Sequence, residues 1–368
     1  MALLSTRLRA QIIKELLCVW RDPKSRFMLI GPPLMQLLVF SFAATLEIRN
    51  VDLTILNRDT GRWGDELVAR VDAAGFTGHI TPVSSQKAIE ANVDRRRSIA
   101  ALDIPEALSR DIAAGRDARV QVILDGRRAN ASQILLGYLN QIISDLQAEL
   151  SGAGSADPVA VRHWFNENLV YRWFIVPGLG GILVMFATLL ITALSIARER
   201  ELGTFDQLLV SPCTPSEIII AKIVPALLIG SILGILMAAA AVLGFGVPFV
   251  GSYAMLFGCL ELFILSIVGI GLMISSICTT QQQAILGTFA IAVPAVLVSG
   301  FATPIENMPK ILQWLAEAIP LKHYLLILHG SFLKGLSPSQ IAHHAWPMAV
   351  IAILTLSTAT LVVRGRLQ

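Results

Sequence analysis

Charge is scarce in this chain. Only 15% of its 368 residues are Asp, Glu, Lys or Arg, while 54% are hydrophobic. Soluble domains carry about 25% charged residues, so an ordinary water-soluble globule is excluded and a polytopic membrane protein is indicated. The formal net charge is +3, too small to point to nucleic acid as a partner. Cysteine is scarce as well. Cys18, Cys213, Cys259 and Cys278 are the four present, and none lies within 47–172. No disulfide therefore staples that long polar region, and no C-x-x-C pair or Cys/His cluster suggests a metal. His343-His344 has no acidic or Cys companions, so no metal site is expected there. A G-x-x-x-x-G-K-[ST] phosphate loop, a G-x-S-x-G elbow and an H-E-x-x-H pair are all missing. No catalytic residues and no cofactor are expected, and if ATP drives this protein, another polypeptide binds it.

What is abundant is long apolar sequence. Runs at 27–46, 174–197, 218–245, 253–277, 283–301 and 346–363 each suit a helix crossing a hydrocarbon core, which takes roughly 20 residues. The basic start followed by 27–46 also fits a signal peptide, but the run exceeds the usual h-region and favours an uncleaved anchor. Pro32 and Pro33 should distort this first span, and Pro225 and Pro294 should kink or break two later ones. Ahead of the first span, Leu4, Leu8, Ile12, Leu16 and Val19 make an apolar stripe among Arg7, Arg9, Lys14, Arg21, Lys24 and Arg26. That pattern reads as an amphipathic helix on the inner membrane surface, or more simply as a positive flank.

Residues 47–172 change character. Strand signals at 53–57, 80–83, 99–104 and 120–124 alternate with helical ones at 65–74, 85–93, 105–114 and 132–150, which argues for a compact α/β domain. Arg95–Arg97 and Gly126–Arg128 are its basic spots, read as solvated faces or as contacts for acidic lipid or a partner. Trp164, Tyr171 and Trp173 form an interfacial belt before the second span. The fold class is thus a mainly α membrane protein with six transmembrane helices and a large extracytoplasmic α/β domain between helices 1 and 2.

Six spans put both termini on one side. The segments 1–26, 198–222 and 364–366 hold six, three and two Lys or Arg, against none in 246–252 and three in 302–345. This bias places the termini in the cytoplasm. Glu261 is the one acid deep in a span, where a central acid costs about 2.5–3.5 kcal/mol. It either serves a translocation path or is structural, bonded to Ser266 or to small polar residues of another span. Gly230 and Gly234 permit close helix approach, within the chain or at a dimer seam.

The polar stretch between the second and third runs reads Arg198-Glu199-Arg200-Glu201-Leu202-Gly203-Thr204-Phe205-Asp206-Gln207-Leu208-Leu209-Val210-Ser211-Pro212. Gly203 can end the incoming helix and Thr204 can cap a new one. Phe205, Leu208 and Leu209 recur at helical spacing until Pro212 and Pro215 stop it. This residue order resembles the first cytoplasmic loop of type-2 ABC-transporter permeases of the drug-exporter branch. Ser299-Gly300-Phe301, Pro304–Pro309, Ile319-Pro320 and His323-Tyr324 resemble that family's last external loop, whose short helices dip towards the membrane. The approach to the second span is also similar, except that Glu167 stands where the family usually has Pro.

The resemblance covers nearly the whole chain and implies a domain plan. Residues 1–26 form a cytoplasmic interface helix, 27–46 the first span and 47–172 the extracytoplasmic domain. The other five spans lie in 173–364, with a coupling helix at 199–212 and an external re-entrant or interfacial segment at 302–325. The coupling helix docks on a separate ABC ATPase that holds ATP-Mg. Glu199, Arg200, Glu201, Gly203, Thr204, Asp206, Gln207, Leu208, Leu209 and Pro212 are its expected coupling residues. A second permease copy or a sibling completes the path, a periplasmic adaptor is a further candidate partner, and drugs or other amphipathic or cationic compounds are exported across the bacterial inner membrane. An ion-coupled secondary transporter and a membrane-anchored sensor are the other two readings.

Overall fold

The computed structural model describes residues 6–23, 27, 31, 35, 36, 38, 39, 50–116, 118–150, 165, 166, 170–205 and 214–367. The expected first span lies almost wholly outside the described residues, as do Asp206, Gln207, Leu208, Leu209 and Pro212. The chain divides into two units: Thr45–Arg162, and Met1–Ala44 together with His163–Gln368.

The smaller unit is an α/β sheet domain. Its strands are β1 (Val51–Asn57), β2 (Thr77–Pro82), β3 (Ala100–Ile104) and β4 (Gln121–Leu124), in the order β2-β1-β3-β4. β1 pairs in parallel with β2 and β3, and β4 closes the other edge antiparallel to β3. The helices α2 (Arg62–Asp72), α3 (Gln86–Asp94), α4 (Leu108–Ala113) and α5 (Ala129–Leu150) fall between and after the strands. Every strand and helix lies where the alternation of signals put it, with ends moved by a few residues. β1 and β3 are buried on both faces, as central parallel strands are. Leu53, Ile55, Leu102 and Ile104 point to one face, with Leu67 and Val71 of α2 and Leu135 and Leu139 of α5. Leu56 and Ala101 point to the other, against Ile89 of α3. On that second face Thr54 Oγ1 donates to Ser98 Oγ at 2.9 Å and accepts from Asn92, which satisfies a polar side chain inside the sheet.

The larger unit is helical. It begins with α1 (Thr6–Arg21) and continues with α6 (Arg172–Glu201), α7 (Pro215–Ala239), α8 (Tyr253–Ile277), α9 (Gln281–Val298), α10 (Lys310–Glu317), α11 (Pro320–His329) and α12 (Pro338–Leu367). Among the described residues, five helices are long and apolar enough to cross a membrane: 172–201, 216–244, 253–277, 281–298 and 338–362. They coincide with the last five apolar runs of the sequence. α10 and α11 with its extension to Lys334 form one bent apolar pair, at 79°, which would be a sixth span if counted as one. On α10, Ile311, Trp314 and Leu315 are exposed on one stripe.

Pro225 and Pro294 do not break their helices. α7 and α9 run through them, because neighbouring helices and local adjustment can satisfy the freed backbone groups. The irregular turns fall elsewhere, as π turns at Ala240–Gly244 and Gly330–Lys334. α7 starts sharply. Thr214 Oγ1 accepts from Glu217 N, the Glu217 carboxylate accepts from Thr214 N at 2.9 Å, and Pro215 opens the first turn.

The glycine pair resolves as packing within the chain. A Cβ on Gly230 would lie 2.9 Å from Thr188 Oγ1 of α6, and one on Gly234 would lie 2.6 Å from Leu260 of α8. The two glycines let α7 seat against α6 and α8 at once.

Candidate functional site

The charged quartet Arg198-Glu199-Arg200-Glu201 closes α6, and between them its members reach α1, α7, α8 and α9. Arg198 Nη2 donates to Asp22 at 2.9 Å and its Nη1 to the Cys18 carbonyl at 3.2 Å, at the end of α1. Arg200 Nη1 donates to the carbonyls of Ser276 at 2.7 Å and Cys278 at 3.2 Å, capping the last turn of α8. Its guanidinium lies 5.0 Å from the centre of the Phe205 ring, within cation–π range. The Glu201 carboxylate accepts the Gln281 amide at 2.5 Å, at the start of α9, where a negative charge suits the helix N-terminus.

Glu199 points inward. It is only 6% exposed. One oxygen accepts from Lys14 of α1 and the other from Lys222 of α7, at 2.9 Å. Lys222, 3% exposed, also donates to Glu15 at 3.1 Å and to Ser195 Oγ at 3.0 Å. An ammonium has three N–H donors, and all three are used. Two cations and two anions thus meet between α1, α6 and α7, a balanced set in which no buried charge is left alone. For Lys14, burial pulls the ammonium down, but the Glu199 hydrogen bond and charge, with Glu15, outweigh it and hold it above its ordinary value. A raised folded-state value means that its contribution is complete below the unfolded value of about 10.4 and fades only as pH rises through the folded one.

Gly203 ends the helix. Its φ is +67°, the left-handed region where glycine is at ease. Gly203 N donates to Arg200 O at 3.1 Å, and Thr204 N to Glu199 O at 2.9 Å. This is the Schellman pairing of a glycine-terminated helix. The Thr204 hydroxyl turns back to the Glu199 carbonyl at 3.3 Å. Beyond the network, Glu201, Leu202 and Gly203 form an exposed tip, with Leu202 65% exposed.

Of the residues offered from the sequence, Glu199, Arg200, Glu201, Gly203 and Thr204 are therefore brought to one end of the bundle. The carboxylate of Glu199 is engaged inside the chain by Lys14 and Lys222, and Arg200 and Glu201 bond to the ends of α8 and α9. Lys222 and Glu15, equal members of the network, were not offered. The available signal was a lysine eight residues past a capping threonine, inside an apolar helix, where a cation seeks a buried anion. Glu261 sits apart, half-buried, with the Ser231 hydroxyl of α7 bonded to it. The expected alternative Ser266 instead bonds to its own helix, at the Phe263 and Leu262 carbonyls. Among the described residues no three His, Cys, Asp or Glu side chains gather as a metal site.

The α/β unit has its own candidate crevice, at the carboxyl ends of β1 and β3, where open sheets with this strand order bind ligands. Here Asp59 fills the cradle. Its carboxylate accepts from the Gly64 amide at 3.0 Å, from the Ser109 amide at 3.2 Å and from the Ser109 hydroxyl. Burial alone would raise the Asp59 carboxyl, but the hydrogen bonds from Ser109, Gly64 and Gly61 outweigh it and hold it below the usual range. Its stabilisation is then present above an unfolded value of about 3.9 and lost as pH falls through the lower folded value. Asp59→Asn should speed hydrogen exchange of the β1 and β3 amides at pH 7 in the full chain. The excess over the unsubstituted protein should shrink as the pH is taken below 4.

Five apolar helices among the described residues, four of them tied together at one charged end, define a multi-span helical membrane protein. The family described as "ABC-2 family transporter protein" matches residues 24–361, and the chain belongs to that family. It is 39% identical over 366 residues to the Escherichia coli protein named "Probable multidrug ABC transporter permease YbhR", covering 98% of this chain and 99% of that one. It is 28% identical over 371 residues to E. coli "Probable multidrug ABC transporter permease YbhS", covering 98% of each. A third E. coli relative, "Inner membrane transport permease YhhJ", is 29% identical over 260 residues, 67% of this chain and 68% of that one.

Proposed function

We propose that this chain is the membrane-spanning permease subunit of an ATP-driven exporter in a bacterial inner membrane. It passes amphipathic compounds, drugs among them, and takes its work from a separate ABC ATPase bound at 199–212. The observation that carries this reading is the junction at the end of α6. Residues 198–201 tie α6 to α1, α7, α8 and α9, and the chain then emerges at the exposed Leu202-Gly203 tip. A push delivered to that tip moves several spans together, as a rigid-body switch between inward- and outward-open states requires. The names of the E. coli relatives support the drug and permease parts of the reading. In this mechanism Glu199 and Arg200 hold the junction, while Glu201, Asp206 and Gln207 face the ATPase, and Leu208 and Leu209 anchor it. A second permease, identical or a sibling, completes the path, and the α/β unit faces outward, where it is free to meet an adaptor.

Buried apolar anchors dominate most interfaces. Leu208→Asp should therefore release the ATPase, lowering its recovery with the purified permease about tenfold or more. Undiminished recovery would reduce 199–212 to a linker. Sidedness has its own test. In a variant without native cysteines, an impermeant thiol reagent added to intact cells should label Cys at position 152 and spare Cys at position 211. The reverse pattern would invert the topology.

A further inference from the structure

A cavity of about 420 Å³ lies inside the larger unit, between α6, α7, α8 and α11. That is within the roughly 300–1,000 Å³ range of small-molecule sites. Three observations bear on what it holds. First, no charged side chain lines it; apart from two tyrosines its walls are apolar. Glu261 is not part of the wall.

Second, its rim is open and greasy. Ile235, Leu243, Tyr253 and Phe257 belong to the lining and are also exposed on the outer face of the bundle. In an inserted helix bundle, a face of this kind that no second copy covers meets hydrocarbon. Both π turns contribute to the wall, through Leu243 in the first and Phe332 in the second. Single π turns inside α-helices are frequent at functional sites.

Third, Tyr324 supplies a polar point on the buried wall. Its side chain is 96% buried, given its 4% exposure, and its ring stacks on Phe263 with centroids 4.3 Å apart. Its hydroxyl has no hydrogen-bond partner among the described residues, yet it is not sealed off. Only Thr188 Oγ1 is both sealed and unpartnered among those residues. Tyr324 is itself one of the residues that line the cavity. A buried tyrosine hydroxyl ordinarily finds a partner, and an apolar ligand bearing an acceptor would provide one.

We infer that this cavity is a binding site, one per chain, for a neutral amphipathic molecule that enters from the bilayer. The apolar body fills the wall of α7 and α8, and one carbonyl, ether or hydroxyl oxygen accepts from Tyr324. The site is distinct from a path for cations, because it offers no anion. It does not depend on export: binding is expected of the permease alone, without ATPase or nucleotide, so failure of the exporter reading would leave it standing.

The test uses the purified chain in lipid nanodiscs and two photoactivatable probes. One is a neutral alkyl benzophenone, whose carbonyl is the acceptor. The other is an alkyl diazirine of similar length with no oxygen. Labelled residues are mapped by mass spectrometry as each probe is titrated. The benzophenone should label lining residues of α7 and α8 and saturate at one per chain. Tyr324→Phe keeps the ring and its stacking and removes only the donor. It should raise the half-saturating concentration about five- to tenfold for the benzophenone, the worth of one hydrogen bond, and less than twofold for the diazirine. Ala238→Phe, which fills the cavity from its wall, should abolish saturable labelling by both. Labelling that never saturates, that is confined to outward residues such as Ile353 and Leu361, or that survives Ala238→Phe would overturn the site. Equal effects of Tyr324→Phe on the two probes would overturn the role of the hydroxyl.

Discussion

Lys222→Met should destabilise the helical unit by about 3–5 kcal/mol, the cost of breaking a buried ion pair from one side. The lysine donates to Glu199, Glu15 and Ser195 and is 3% exposed. Methionine matches its length but leaves two carboxylates between α1, α6 and α7 with only Lys14 to oppose them. The effect belongs to charge imbalance more than to lost contact, and a double variant separates the two. Lys222→Met with Glu199→Met removes one charge of each sign and leaves Lys14 and Glu15, 3.6 Å apart, as a pair. It should recover most of the loss, since replacing a whole buried pair by apolar groups is often neutral. Thermal unfolding of the detergent-solubilised chain, followed by tryptophan fluorescence, reads both. A Lys222→Met midpoint equal to that of the unsubstituted chain would mean that water screens these charges and that the junction is not what binds α1 to the spans.

This network also marks where sequence reading stopped. The last five apolar runs and the alternating strands and helices of 50–150 were legible because burial imposes a period on each segment by itself. Gly203 was legible for a similar reason: a helix that ends in the left-handed region needs glycine or asparagine, whatever surrounds it. The quartet at 198–201 was legible as polar residues at a span's end, but not as an internal junction. Its partners lie far off in sequence: Cys18 and Asp22, Lys222, Ser276 and Gln281. Nothing local to Glu199 distinguishes a carboxylate facing a partner protein from one facing a lysine of the next helix. Glu261 was legible as an acid needing a partner, either Ser266 or a small polar residue of another span, and Ser231 of α7 is bonded to it; which span supplied it depended on packing between helices, which no single segment shows. Pro225 and Pro294 leave their helices unbroken for a related reason. A proline's local preference is to break a helix, and the surrounding bundle overrides it.

Gly203→Val should uncouple the ATPase from transport while leaving insertion intact. A Cβ at Gly203 would meet nothing within 4 Å, so the substitution crowds no neighbour. Its whole effect comes from φ, which is +67°. The left-handed region costs an L-residue roughly 1–2 kcal/mol and is worst for β-branched side chains. Valine would therefore favour continuing or unwinding α6 over the turn in which Gly203 N bonds to Arg200 O and Thr204 N to Glu199 O. The exposed tip and the residues after it would leave α6 in another direction, although the ties of 198–201 to the other helices remain. At 1.4 kcal/mol per factor of ten, the population holding the correct turn should fall about tenfold or more, and substrate-stimulated ATPase activity and export should fall with it. Gly203→Asn is the discriminating control, because asparagine tolerates the left-handed region; it should keep most of the coupling. Both variants should reach the membrane in normal amounts, since no buried contact changes. If Val and Asn behaved alike, whether both coupled or both uncoupled, the backbone turn at Gly203 would not be what transmits motion from the ATPase to the spans.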